Sequence, residues 1–188
     1  LAILKKLRQV LRGITKRHEF VSIVILLRQS RDLPESKIRA AAERAWECKM
    51  EGTESAPGFV QQKGPRSVVW IPGHFLSIVN AARPYGDEPA KQAEKMRHPG
   101  GRQAWLAQRA FTSIDYIDTE AKEITPDQKY SVVAKLASAL LDSDCAGIYI
   151  PGEREIIPAS PDLAGQLRNF STFGKFYETL VIAAENKR

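Results

Sequence analysis

TPDQKYSVVAKLASALLDSDCAGIYI, residues 125–150, carries a helix signal and a strand signal in direct succession, and their order sets the fold class. Thr125 suits an N-cap, Pro126 the first helical position, and Gln128 the third position after the cap, as a capping box requires. Val133, Leu136, Ala137, Leu140 and Leu141 recur at helical spacing, which leaves Asp127, Lys129, Lys135 and Ser138 facing water. The polar run Asp142-Ser143-Asp144 ends that pattern. Ala146 to Ile150 then reads as a short buried strand, stopped by Pro151-Gly152. A helix feeding a sheet builds a core; it is not a reaction centre.

Upstream, FVSIVILL from Phe20 reads as a central strand. ESKIRAAAERAWECKM reads as a helix that Asp32 can cap with Glu35, burying Ile38, Ala41, Ala42, Ala45 and Trp46. β-rich segments follow at Phe59 to Gln62, Ser67 to Ile71 and Phe75 to Ala82. Gly64-Pro65 and Pro72-Gly73 separate them, as tight turns between antiparallel neighbours do. Val68 to Ile71 is apolar on both faces, so helices are expected over part of this sheet. Residues 83–106, with Pro84, Gly86, Pro89, Pro99, Gly100 and Gly101, read as a loop-rich seam with room for a short helix over Pro89 to Met96.

Beyond the seam, Ala107 to Asp118 alternates as a strand and Ile156-Ile157 forms another. Pro161 to Phe170 reads as a helix, and Lys175 to Ala184 as helix in preference to strand. Residues 20–82 and 107–184 thus share an element order without a residue-level repeat. The expected class is α+β: two βαβ-type halves, in ferredoxin-like element order, sharing a core in one domain over residues 18–188. An amphipathic helix over residues 1–17 precedes it.

The strand QRAFTSIDYID, the helix YSVVAKLASALLDS and the strand AGIYIPG, turning out toward Glu153, together resemble an uncharacterised bacterial family catalogued as domain of unknown function 4261. FVSIVILLRQSRDLPESKIRAAAERAW suits that family's first strand and helix, so the resemblance spans about residues 20–160. It rests on element order and apolar texture, and it implies neither an activity nor a functional residue.

Composition narrows the classes. With 43% hydrophobic and 27% charged residues the 188-residue chain is globular, and its apolar runs fall short of the ~20 residues of a membrane span. Cys48 and Cys145 make neither a disulfide framework nor a C-x-x-C pair. Both lie at the ends of apolar helices and are expected to be buried free thiols, in keeping with a cytoplasmic chain. Basic residues interrupt the apolar N-terminal stretch, unlike a secretory signal, and the lack of a Met before Leu1 hints that the numbering starts inside a longer chain. Lys5, Lys6, Arg8, Arg12, Lys16 and Arg17 carry the entire formal charge of +6: without these six, 22 of the 28 basic residues remain against 22 acidic ones. Charge on an arm, over a neutral body, argues against a nucleic-acid partner, whose footprint is a patch on the folded domain.

Ile3, Leu4, Leu7, Val10, Leu11 and Ile14 form a full helical stripe, with Lys5, Lys6, Arg8 and Arg12 off it. These residues are the expected interaction surface. The stripe can dock on its own domain, on a second copy or on a protein partner, or lie on an anionic membrane surface.

Candidates for chemistry are fewer. His18, His74 and His98 are too scattered for a short metal motif, and His74 is expected in a surface or capping role. Asp115, Asp118, Glu120 and Glu123 read as a solvated strand edge, and Glu153-Arg154-Glu155 as an exposed turn. Residues 97–102 read as a mobile linker. Phosphate-loop, G-x-S-x-G and Cys-His patterns are missing from the sequence. Phe59, Trp70, Phe75 and Tyr85 stand in or beside strands nearly free of Lys and Arg, and read as core rings rather than a stacking platform. No catalytic residue, metal or cofactor is expected. The leading expectation is a non-enzymatic protein-protein interaction module. The alternative is a small enzyme or ligand-binding protein with its site between the halves, near Asp115 and His74.

Overall fold

The computed structural model describes residues 21–50, 58–96, 98–118 and 124–176. The arm expected as a helix over residues 1–17, with all its candidate interaction residues, lies outside them. In chain order the elements are β1 (Ser22–Leu27), α1 (Glu35–Trp46), β2 (Phe59–Lys63), β3 (Arg66–Ile71), β4 (His74–Ala81), α2 (Pro89–Glu94), α3 (Pro99–Ala107), β5 (Ala110–Ile117), α4 (Pro126–Leu140), β6 (Cys145–Ile150), β7 (Glu155–Pro158) and α5 (Leu163–Arg168). The class is α+β. Seven strands make one antiparallel sheet in the order β2-β3-β4-β5-β1-β6-β7.

β1 is central because it is apolar on both sides, and all six of its residues are buried. Ile23, Ile25 and Leu27 enter the larger core, with Ile38 and Ala41 of α1, Val133 and Leu136 of α4 and Leu163 of α5. Val24 and Leu26 point the other way, to a smaller cluster with Phe111 of β5, Ala93 of α2 and Trp105 of α3. Gly64 and Gly73, at φ 62° and 84°, supply the left-handed backbone of the β2–β3 and β3–β4 turns.

α4 starts as its sequence requires. Thr125 Oγ1 accepts from the Gln128 N–H at 3.3 Å, and Gln128 Oε1 accepts from the Thr125 N–H at 3.0 Å. Two residues expected in water are not there. Ser138 is buried because α5 lies over it, its hydroxyl donating to the Ala164 carbonyl at 2.7 Å. Lys129 folds back onto Asp118 at 2.8 Å.

α1 departs from its expected cap. Pro34 is the N-cap, and Asp32 stays exposed outside the helix. The Glu35 carboxylate instead accepts from Arg39 at 2.6 Å and from the Gln62 N–H of edge strand β2 at 3.1 Å. A residue placed to close a capping box thereby ties the helix to the sheet.

Residues 83–106, read as a loop-rich seam, hold α2 and most of α3. Pro89 and Pro99 start these helices at N1, where a missing N–H costs nothing. Gly100 and Gly101 belong to the first turn of α3, not to a mobile linker. A Cβ on Gly101 would stand 3.2 Å from the Ile156 carbonyl and one on Gly100 3.0 Å from the Pro158 ring, so both glycines let α3 lie close on β7. Trp105, 2% exposed, then anchors the second cluster, with its indole N–H donating to the Pro89 carbonyl at 3.0 Å.

Candidate functional site

The second face of the sheet is finished on only one half by the described helices. α3 packs against β7, β6 and β1, and α2 packs against α3. Tyr85 closes this half, its ring 5.1 Å from Phe111 and 5.7 Å from Tyr149. Gln108, buried and unremarked in the sequence, clasps the Tyr85 backbone by accepting from its N–H at 2.9 Å.

The other half is a row set by strand register. Ile117 opposes Phe75, Phe75 opposes Trp70, and Trp70 opposes Phe59. Directly opposed residues of antiparallel strands share a face, so these four lie side by side across β5, β4, β3 and β2. Phe59 stacks on Trp70 at 5.8 Å and is buried, while Trp70, Phe75 and Ile117 are half-buried. None of the four belongs to either core cluster. The expectation that helices cover part of this sheet holds for α1 on one face; on the other the described helices stop short of this row.

The next row holds Ser22, Asp115, Ser77 and Val68. Asp115 Oδ1 accepts from Ser22 Oγ and Ser113 Oγ, both at 2.6 Å. Both hydroxyls are buried, so a half-buried carboxylate is held in one orientation between the apolar row and Tyr85. Burial raises the Tyr85 pKa, with Tyr149 and the Asp115 charge adding to the rise. Asp115 was legible as a strand-end acid; its pair of serine donors was not, because Ser22 is 93 residues away.

On the first face His74 Nδ1 lies 2.8 Å from the Tyr116 hydroxyl. Burial, then the Asp118 charge, pushes the Tyr116 pKa up to about 12, and Lys129 sits over the same ring at 5.8 Å. The alternative reading of the sequence puts a site near Asp115 and His74. They do not converge: Tyr116 opposes Leu76 and Asp115 opposes Ser77, so Asp115 faces one side of the sheet while His74 and Tyr116 share the other.

At the opposite end of β1, Arg31 donates to the Leu140 carbonyl at 2.9 Å and pairs with Asp142, while Arg28 donates to the Cys145 carbonyl. Asn80 donates to the Arg31 carbonyl at 2.8 Å and accepts from Thr112 at the same distance. These bonds fasten the β1–α1 loop to the α4–β6 loop. The Arg31 Nε is buried and has no hydrogen-bond partner among the described residues.

The remaining candidates scatter. His98 stands at the N-cap position of α3 without a side-chain cap hydrogen bond, Glu153 and Arg154 form the exposed β6–β7 turn, and His18, Arg97, Glu120 and Glu123 lie outside the described residues. Among the described residues no group of three or more His, Cys, Asp or Glu side chains could hold a metal ion, and no helix is long and apolar enough to cross a membrane. Cys145 is buried beside a groove of about 210 Å³ bordered by Leu141, Asp142, Pro161 and Leu163, and burial pushes its thiol up to about 11. Cys48, expected to be buried, is exposed: α1 stops at Trp46, Glu47 turns left-handed at φ 52°, and the chain leaves the core before the thiol. Comparison with protein-family models, with curated proteins and with solved structures returned no match.

Proposed function

We propose that the chain is a non-enzymatic interaction module whose basic N-terminal helix, residues 1–17, mediates docking on a protein partner or self-association. The observation that carries this reading is the unfinished half of the second sheet face. A row of half-buried apolar side chains stands where the arm leaves β1, and the arm's own stripe, Ile3 to Ile14, needs an apolar surface to bury it. Groups of reactive type serve structure: His74 bonds Tyr116, the Asp115 carboxylate holds two serines, and the Cys145 thiol is raised by burial. A cytoplasmic setting belongs to the same reading. Contact of the arm with an anionic membrane surface is its second mode, since Lys5, Lys6, Arg8 and Arg12 stand off the apolar stripe.

The two halves are inferred to stand in ferredoxin-like order around one core. The neighbours β6-β1-β5-β4, with α1 and α4 burying side chains in the same cluster, support this, and β2, β3, β7, α2 and α3 are then additions. Likeness to domain of unknown function 4261 is part of the same proposal and brings no activity with it. The experiment is removal of residues 1–17, followed by sedimentation and partner capture beside the intact chain. Loss of assembly or of capture is the expected result. An unchanged outcome in both removes the arm's role.

A further inference from the structure

We propose that the row Ile117–Phe75–Trp70 is the seat of the chain's own residues 3–14, so that the arm closes the second sheet face of the molecule it belongs to. This rests on reading the arm as a docking helix: the row is its seat in the lone molecule, and the stripe leaves that seat when it takes a partner or a second copy.

The first support is where the chain leaves the sheet. The Val21 carbonyl accepts from the Tyr116 N–H at 2.9 Å and Ser22 opposes Asp115, so residues before Val21 depart beside Ile117, the first member of the row. Six residues, 15–20, separate the stripe from that point. Fully extended, they reach about 20 Å, enough to turn back over the adjacent strands.

Size is the second. Strands stand ~4.8 Å apart, so the row from β5 to β2 is about 14 Å wide. Twelve helical residues make about 18 Å. One helix of the arm's length therefore spans the row, and α2 and α3 already occupy the other half of the face.

Charge is the third. On this face Asp115 is fixed by Ser22 and Ser113 next to the apolar row. The same end of the sheet carries Asp118 after β5, paired with Lys129, and the Glu153-Arg154-Glu155 turn between β6 and β7, since Val24 opposes Tyr149 and places Ile150 and its successors beside the start of β1. The arm brings Lys5, Lys6, Arg8 and Arg12 beside its stripe. A basic apolar helix thus leaves the sheet where an apolar row meets the fixed Asp115 carboxylate, with apolar burial supplying the affinity and the charge its orientation.

Hydrogen exchange of the intact chain, read by mass spectrometry, tests this. Residues 3–14 are expected to be protected, equally at high and low protein concentration. Trp70→Glu should lower that protection at least tenfold, while β1 and α4 keep theirs. A second variant, Leu7→Glu with Leu11→Glu, leaves the body's sequence untouched; it should lose arm protection and make tryptophan emission more open to acrylamide quenching. Three results overturn the proposal: an arm exchanging at the rate of an unstructured peptide, protection indifferent to both variants, or protection lost on dilution, which would make a second copy the occupant. The outcome is separable from that of the functional reading. An arm protected on its own sheet while its removal changes neither assembly nor capture would sink only the latter.

Discussion

Gly147 is where the layering of the sheet is most exposed to a single methyl group. It lies on β6, opposite Leu26 of β1 and Pro158 of β7, and α3 passes over it. A Cβ there would stand 2.6 Å from the Ile157 carbonyl oxygen, 3.1 Å from the Ala104 Cβ and 3.2 Å from the Pro158 Cα. Two of the three obstacles are backbone and the third is a short side chain on a helix anchored by Trp105, so none can swing aside. Overpacking of this kind costs ~1–3 kcal/mol, and immobile neighbours put Gly147→Ala near the top of that range. For a chain of this size about 3 kcal/mol lowers Tm by roughly 6–12 °C. Gly165→Ala is the control, since a Cβ there meets nothing within 4 Å and the residue lies inside α5. It should be neutral or gain up to about 1 kcal/mol from helix propensity. Thermal and urea unfolding followed by far-UV circular dichroism would measure both. If Gly147→Ala melts with the parent, α3 does not rest on β6 as described.

Three further outcomes follow from individual contacts. Thr125→Ala removes the hydroxyl half of the α4 capping box and should cost about 1 kcal/mol in urea unfolding; a loss too small to resolve would mean that the cap is idle. Tyr116 keeps its proton to about pH 12, against roughly 10 in an unfolded chain. Its contribution to stability is therefore complete below pH ~10 and is lost as pH rises from there toward the folded value. The difference in phenolate absorbance between the parent and Tyr116→Phe should accordingly titrate near the upper figure, and a midpoint near the ordinary value would contradict the burial. With a thiol reagent, Cys48 should react at once and Cys145 only as fast as the fold opens, because the second is both buried and raised to about 11; equal rates would show that β6 does not shield it.

How far the sequence led depends on the range of each interaction. Local signals read true: Thr125 and Gln128 cap α4, the glycines at 64 and 73 turn between antiparallel strands, and β1 is as apolar as its central place demands. Burial that needs a distant partner was missed. Ser138 looks solvent-facing until α5 arrives from 26 residues away, and Glu35 looks like a cap until β2 offers the Gln62 N–H. In the Pro- and Gly-rich stretch from 83 the short helix from Pro89 is legible and α3 is not, because proline and glycine start helices as well as fill loops; here Pro99 starts α3, and Gly100 and Gly101 let it lie close on the sheet. The same limit applied to the candidate site. Asp115 and His74 each looked available, but which face each takes is fixed by the pairing of β4 with β5, over a separation no local pattern records. The Ile117–Phe75–Trp70 row was visible only as separate apolar residues, since its members come from three strands.

The most direct measurement places a benzophenone side chain at position 75, in the middle of the row, and maps where it bonds on irradiation of the intact chain. The account predicts adducts to residues 3–14 of the same molecule, independent of dilution. Adducts confined to α2 or α3, adducts to the arm of another molecule, or no adducts at all would contradict it.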